Sequence, residues 1–356
     1  MKKNVKEQDN YSQRMSNAII WMRFPLIFLI IMLHCYSVVR IPGEHDTYFK
    51  IVYPFSLWLG ETGVPGFFII SGYLFFLSNK SYYQKNKNRF FTLLIPYLLW
   101  NAALSLLYIT ACIMGYPQDI NGKNMAEYDI IDYARLFWDR GSYDNGNFVP
   151  ILCPLWYIRN LLIMSVFSPL FYYLLRYTRE LFLISITLWW IVTNDNAFIP
   201  QTILFFCLGA YCSIFNINPL RAISKNKSFF VSFFLFFSFS DILSHVAMST
   251  PINLQLHRLS LIFNIPALLL MADWCTRHGY FYTKISDSAF IVFCVHYPIV
   301  VLIRKFSISK FADAPDWIHI LLYFACVIIA TILSIGIYLL LERYFPKTKK
   351  ILSGNR

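Results

Sequence analysis

Residues 19–39 read IIWMRFPLIFLIIMLHCYSVV, an apolar run interrupted by Arg23 and His34. A helix crossing about 30 Å of hydrocarbon needs roughly 20 residues, and this run supplies them. It follows a charged leader (Lys2, Lys3, Lys6, Arg14), but no small-residue cleavage site comes after it, so it reads as a retained membrane span rather than a signal peptide. The same rule applied outward marks further spans near 51–78, 90–114, 152–175, 181–194, 200–215, 229–248, 259–274, 286–303 and 317–341, ten in all. The fifth and sixth are short and meet at the turn-like Asn194-Asp195-Asn196, so one re-entrant hairpin is the alternative there.

Composition agrees. Of 356 residues, 57% are hydrophobic and 14% charged, and the mean hydropathy is +0.51. That is too little polar surface for a soluble domain of this length. The expected fold class is therefore all-α, a polytopic transmembrane bundle forming one membrane-embedded domain over 1–356. Its non-spanning parts are an N-terminal segment 1–18, a long loop 115–151 and a tail 342–356. The net charge of +12 does not point to nucleic acid, because Lys and Arg fall in short clusters between apolar runs. With the N terminus inside, 20 of the 31 basic residues lie in cytoplasmic segments, and both termini are predicted cytoplasmic. Arg304-Lys305 is the main violation, and the acidic residues gather in the long loop, among them Asp119, Asp132 and Asp144. Eight cysteines without CxxC spacing support neither a zinc site nor a disulfide framework. In the loop, Tyr128 to Trp138 places Ile130, Ile131, Ala134 and Phe137 near one helical face, suited to a membrane surface or to a lid.

Ionisable groups inside a span cost about 2.5–3.5 kcal/mol at the centre, which makes each a candidate functional residue. Arg23 and His34 are 11 residues apart, about 1100° of rotation and about 16.5 Å of rise, so they share a face and one extended ligand can reach both. Taken singly, Arg23 is equally a snorkelling anchor and His34 an interhelical hydrogen-bond donor. As a pair they suggest a phosphate-binding fork and an imidazole able to take a hydroxyl proton or attack an acyl carbonyl. Three other places break the apolar pattern: Gly63 to Tyr73, where Pro65 and small residues at 66, 71 and 72 allow close packing; Pro154 to Asn160, with Arg159; and His296 in Phe293 to Pro298.

In this order these landmarks resemble the acyltransferase 3 family of membrane acyltransferases, which in bacteria modify sugars of surface polysaccharides. Arg23 to His34 looks like the family's Arg-x10-His signature, and Val64 to Tyr73 like its FFxxSG segment. Arg89 to Trp100 is similar to the basic segment before the third span, except that Thr92 stands where the family has a second arginine, leaving Arg89 with Lys85 or Lys87 for an anion. Leu155 to Arg159 with Ser168-Pro169-Leu170, Phe205 to Gly209, and Val295 to Pro298 also resemble family landmarks.

The resemblance implies a ten-helix bundle in the bacterial cytoplasmic membrane. It would transfer an acyl group, commonly acetyl, from cytoplasmic acyl-CoA to a hydroxyl of a polysaccharide or lipid-linked sugar facing outside, with no metal. On that reading His34 and Arg23 are catalytic, Arg23, Arg89 and Ser71 bind acetyl-CoA, and Trp156, Arg159 and His296 bind the acceptor. The rival from another class is a transporter or flippase, against which stands the concentration of ionisable residues on the first span. A non-catalytic scaffold is the third reading.

Overall fold

The computed structural model describes every residue except 1, 40–42, 44, 45, 121, 122, 141–147, 194–197, 249–251 and 356, and for 2–9 the backbone alone. The expected break at Asn194-Asp195-Asn196, and Arg40, Asp144 and Arg356, lie outside the described residues. The rest is almost wholly helical, as apolar runs must be where no water is present to satisfy backbone N–H and C=O groups.

Helix α1 (Lys2–His34) absorbs both the N-terminal segment and the first span. Helix α2 (Thr47–Tyr53) runs through a π-helical stretch at Pro54–Leu59 and a 3₁₀ turn at Gly60–Thr62 into α3 (Gly63–Leu77), a single 31-residue span. Pro54 cannot donate a backbone hydrogen bond, which favours a local change of helical repeat. The glycines let this distorted segment lie on α1: a Cβ at Gly60 would meet Leu33 Cβ at 3.0 Å, and one at Gly63 would meet Ile30 Cγ1 at 2.6 Å. Helix α4 (Tyr82–Arg89) opens on a Ser81/Gln84 capping box and passes through a second π-helical stretch into α5 (Ile95–Ile113).

The loop that follows holds a two-residue hairpin, β1 (Asp119–Ile120) against β2 (Lys123–Asn124), and helix α6 (Ile130–Arg135). Lys123 and the backbone N–H of Asp129 hold the Asp132 carboxyl below its ordinary pKa. Ile130 and Ile131, 87% and 68% exposed, point away from the protein, the orientation of a helix on a membrane surface rather than of a lid facing inward.

Next come α7 (Trp156–Val166) and α8 (Ser168–Thr178), bent by 66° as a pair, then α9 (Glu180–Val192), and then α10 (Phe198–Ile214) and α11 (Pro219–Lys225), bent by 92°. The chain closes with α12 (Lys227–Leu243), α13 (Asn253–Arg277), α14 (Thr283–Phe311), α15 (Asp316–Tyr344) and α16 (Pro346–Leu352).

Among the described residues seven helices are long and apolar enough to cross a membrane, and nine if each bent pair counts as one span. The tenth expected span is α9, whose 13 residues rise only about 20 Å. Each of the ten expected segments is thus helical, and the chain is a multi-pass helical membrane protein.

The interior is packed around α1, α3 and α10, with Leu26, Ile30, Phe68, Phe205 and Phe206 fully buried. Helices α3 and α10 touch backbone to backbone. A Cβ at Gly72 would lie 2.9 Å from the carbonyl carbon of Phe206, and one at Gly209 2.7 Å from the amide nitrogen of Tyr73. Since lipid is as apolar as leucine, such close packing is what holds helices together in a bilayer. At the N-terminal end of α1, Arg14 makes a two-bond ion pair with Asp273 of α13 (2.8 and 2.9 Å), and Arg277 also reaches Asp273 at 3.1 Å. At the chain's end, Trp100 Nε1 donates to Leu352 O, fixing α16 on α5.

Candidate active site

Two cavities open inside the bundle, and α1 walls both. Arg23 and Ile27 face the smaller, about 390 Å³; Ile30, Leu33 and His34 face the larger, about 640 Å³. Positions 23, 27, 30 and 34 step by four, three and four, a single stripe of the helix. Arg23 and His34 therefore share a face, as their spacing requires, but open on different chambers. Phe293 lines both cavities, edge-on to Tyr157 at 6.0 Å, and Tyr157 is edge-on to Phe68 at 4.7 Å. Phe293, backed by these rings, is the aromatic partition where the two chambers adjoin.

In the smaller cavity the structure brings together Arg23, Arg89 and Ser71 from three helical segments. Ser71 Oγ is 3.1 Å from the Tyr157 hydroxyl, and the Arg89 guanidinium lies over the Phe75 ring at 5.6 Å. Among the described residues neither arginine has a carboxylate partner; Asp287 lines the same cavity without pairing to either. Two guanidiniums held in a largely apolar pocket suit a polyanion entering it. Lys85, the other candidate for an anion, lies over Phe75 at 5.1 Å and lines neither cavity. The departure at Thr92 is covered by the C terminus: Gly354, at φ 69°, sits where a Cβ would meet Thr92 Cα at 2.7 Å.

In the larger cavity His34 packs against His296 (ring centroids 5.4 Å) and edge-on against Tyr297 (5.1 Å). His296 is fully buried and lines neither cavity. Its Nδ1 is 3.1 Å from Val292 O, which can only accept, so Nδ1 carries the hydrogen, and Nε2 has no partner among the described residues. The Tyr297 hydroxyl accepts from Arg140, which brings the long loop to the neighbourhood of His34. Trp156 lines the cavity, its ring stacked on Phe198 at 3.9 Å.

Arg159 does not face either chamber. Its donors go to Trp138 O (2.6 Å), Phe148 O (2.8 Å) and Asn160 Oδ1, and its guanidinium lies over the Trp138 ring at 4.9 Å. This is a strap that ties the loop's base to α7. The expected acceptor contacts by Arg159 and His296 thus have no counterpart in the cavity lining, because one side chain is spent on backbone carbonyls and the other is packed behind His34.

Sequence reasoning passed over a second buried polar group. His257 of α13 lies between two carboxylates, Nδ1 2.9 Å from Asp241 Oδ2 and Nε2 3.0 Å from Glu61 Oε2. Asp241 also accepts from Tyr53 (2.8 Å) and Ser260 (2.7 Å), with His245 Nδ1 at 3.0 Å. Glu61 and His257 line the larger cavity with His34. The signal was present, since Glu61 and Asp241 fall inside marked spans and are as costly there as His34. Ionisable residues are therefore not concentrated on the first span; they converge from α1, α12, α13 and the turn before α3.

Residues 16–339 match a family described as an acyltransferase domain. The chain is 24% identical over 322 residues to the succinoglycan biosynthesis protein ExoH of Rhizobium meliloti (strain 1021), an alignment covering 84% of this chain and 82% of that protein. No solved structure matches.

Proposed function

The chain belongs to the acyltransferase 3 family, and from that premise we propose that it moves an acyl group, acetyl first among candidates, from cytoplasmic acyl-CoA to a sugar hydroxyl of a cell-surface polysaccharide or its lipid-linked precursor. The observation that carries this reading is the stripe on α1. It runs from an arginine that has no carboxylate partner among the described residues in one chamber to a histidine in the next, across about 16.5 Å of rise. The likeness to a succinoglycan biosynthesis protein supports the acceptor class, and the positive-inside bias supports the Arg23 end as cytoplasmic.

On this reading Arg23 and Arg89 hold the phosphates of CoA, with Ser71 as a further hydrogen-bonding group, and the pantetheine arm passes the Phe293–Tyr157 partition to bring the thioester to His34. In direct transfer, His34 takes the proton from the acceptor hydroxyl as its oxygen attacks the thioester carbonyl. The C–S bond breaks and CoA leaves as the thiol, receiving that proton. In the two-step alternative, a His34 nitrogen attacks the carbonyl first, the C–S bond breaks and CoA leaves as the thiol with the imidazole's proton; the sugar oxygen then attacks the acyl-imidazole, the C–N bond breaks and the hydroxyl proton returns to the ring. His296 packs the ring of His34 from behind in either case.

The test is acetyl-CoA binding and CoA release by the purified full chain. Arg23→Ala is expected to weaken acetyl-CoA binding about 10- to 100-fold, the loss typical of a charge-assisted hydrogen bond. His34→Ala is expected to keep binding and lose CoA release. A folded wild-type protein that binds neither acetyl-CoA nor any longer acyl-CoA would overturn the proposal in favour of a transporter.

A further inference from the structure

We propose that Glu61, held in place by His257 and Asp241, forms the hydroxyl-binding subsite for the acceptor in the larger cavity, and that this subsite takes an uncharged sugar unit in preference to a uronic acid. The inference rests on the acyltransferase reading for what fills the cavity.

The three residues are not used alike. Asp241 is fully buried, and both its oxygens are engaged by Tyr53, His245, His257 and Ser260. Glu61 receives a single protein contact, His257 Nε2 on Oε2, and its side chain is 37% exposed at the cavity. Among the described residues Oε1 has no partner. A clasp built only to join α12 and α13 to the turn before α3 would satisfy both carboxylates. Here one end is saturated and the other has an acceptor to spare.

With both carboxyls ionised, the imidazole meets them by donating from both nitrogens, so the row is anion, cation, anion, and only its Glu61 end faces the chamber. An oxygen of that kind accepts from a hydroxyl and repels a second carboxylate.

Position agrees with this. Gly60 lies against Leu33, so the residues that follow each in sequence, Glu61 and His34, come from two segments in direct contact and line one cavity. Trp156, stacked on Phe198, and Trp190 add aromatic surface to the lining of that cavity, the kind of surface on which a pyranose ring packs. Arg258, a second cation in the lining, donates to Trp190 O, Ile191 O and Thr193 O at the C-terminal end of α9. Glu61 is a substrate-binding residue on this assignment; His257 and Asp241 position it.

The test uses the purified full chain, acetyl-CoA, and methyl β-glucoside and methyl β-glucuronide as acceptor probes. Acetyl-CoA binding is read first, to establish that the donor side is intact. Glu61→Gln is expected to raise KM for the glucoside about 10- to 100-fold with kcat little changed, and to narrow the wild-type preference for glucoside over glucuronide. His257→Gln should move both quantities the same way by a smaller factor. Intact acetyl-CoA binding with unaltered KM for both probes in Glu61→Gln would overturn the assignment. Should that variant fail to fold, or wild type fail to use acetyl-CoA, quenching of the cavity tryptophans by the two probes in wild type decides it. Stronger quenching by the glucoside supports the subsite, and equal or stronger quenching by the glucuronide refutes it. Failure of the acyltransferase reading itself would show separately, as absent acyl-CoA binding.

Discussion

Replacing Gly72 by alanine should do far more harm than its size suggests. The added Cβ would lie 2.9 Å from the carbonyl carbon of Phe206 and 3.2 Å from the amide nitrogen of Ala210, and closer still to the Phe206 oxygen. All are backbone atoms and cannot swing aside, so α3 and α10 must part by roughly an ångström. Overpacking of this kind costs about 1–3 kcal/mol, and the rigidity of the obstacle puts this site at the upper end. At about 2–4 °C per kcal/mol for a mid-sized domain, the melting temperature in detergent should fall by ~6 °C or more. Gly336→Ala in α15 is the matched control, since a Cβ there meets nothing within 4 Å. It should leave the melting temperature unchanged or raise it, because alanine favours a helix by about 0.5–1 kcal/mol over glycine. Ile70 and Ser71, beside Gly72, line the smaller cavity, so acetyl-CoA affinity should fall together with stability. If Gly72→Ala melts with Gly336→Ala and binds acetyl-CoA as wild type does, the close packing of α3 on α10 is not what shapes the donor chamber.

Arg159→Ala should free the base of the long loop by removing its bonds to Trp138 O and Phe148 O. Hydrogen bonds to a charged group contribute about 1.5–3 kcal/mol each, and limited proteolysis within 115–151 should accelerate while acetyl-CoA binding holds; equal cleavage rates would show that the strap is dispensable. Arg14→Ala removes one of two cations on Asp273, and because Arg277 remains 3.1 Å away the loss should stay near 1 kcal/mol. The Arg14→Ala/Arg277→Ala double variant leaves a buried carboxylate alone and should cost more than the sum of the singles, which a double-mutant cycle of melting temperatures reads directly.

The helical class and the position of nearly every apolar helix were legible in the sequence because bilayer thickness converts directly into a count of apolar residues. The pairing of Arg23 with His34 was legible too, since both lie on one helix whose periodicity is known. Glu61 carried the same intramembrane charge signal as His34 but stood alone in its span, and nothing local tied it to Asp241 or His257, 180 and 196 positions further on. Arg159 shows the opposite case. Its residue type suited an anionic or polar ligand, and only the folded loop revealed that Trp138 and Phe148 occupy its donors.

What the sequence by itself determined, then, was what depends on hydropathy and helical repeat: the helical class, the placement of the apolar helices and the stripe joining Arg23 to His34. What only the tertiary structure decided was that this stripe passes an aromatic partition between two chambers, and that a carboxylate–imidazole–carboxylate row shares the second with His34. The reason is physical. Hydropathy and helical repeat act between residues a few positions apart, whereas a cavity and a buried ion row are made by side chains from distant segments whose approach is set by packing, here by the glycines that let α3 lie against α1 and α10.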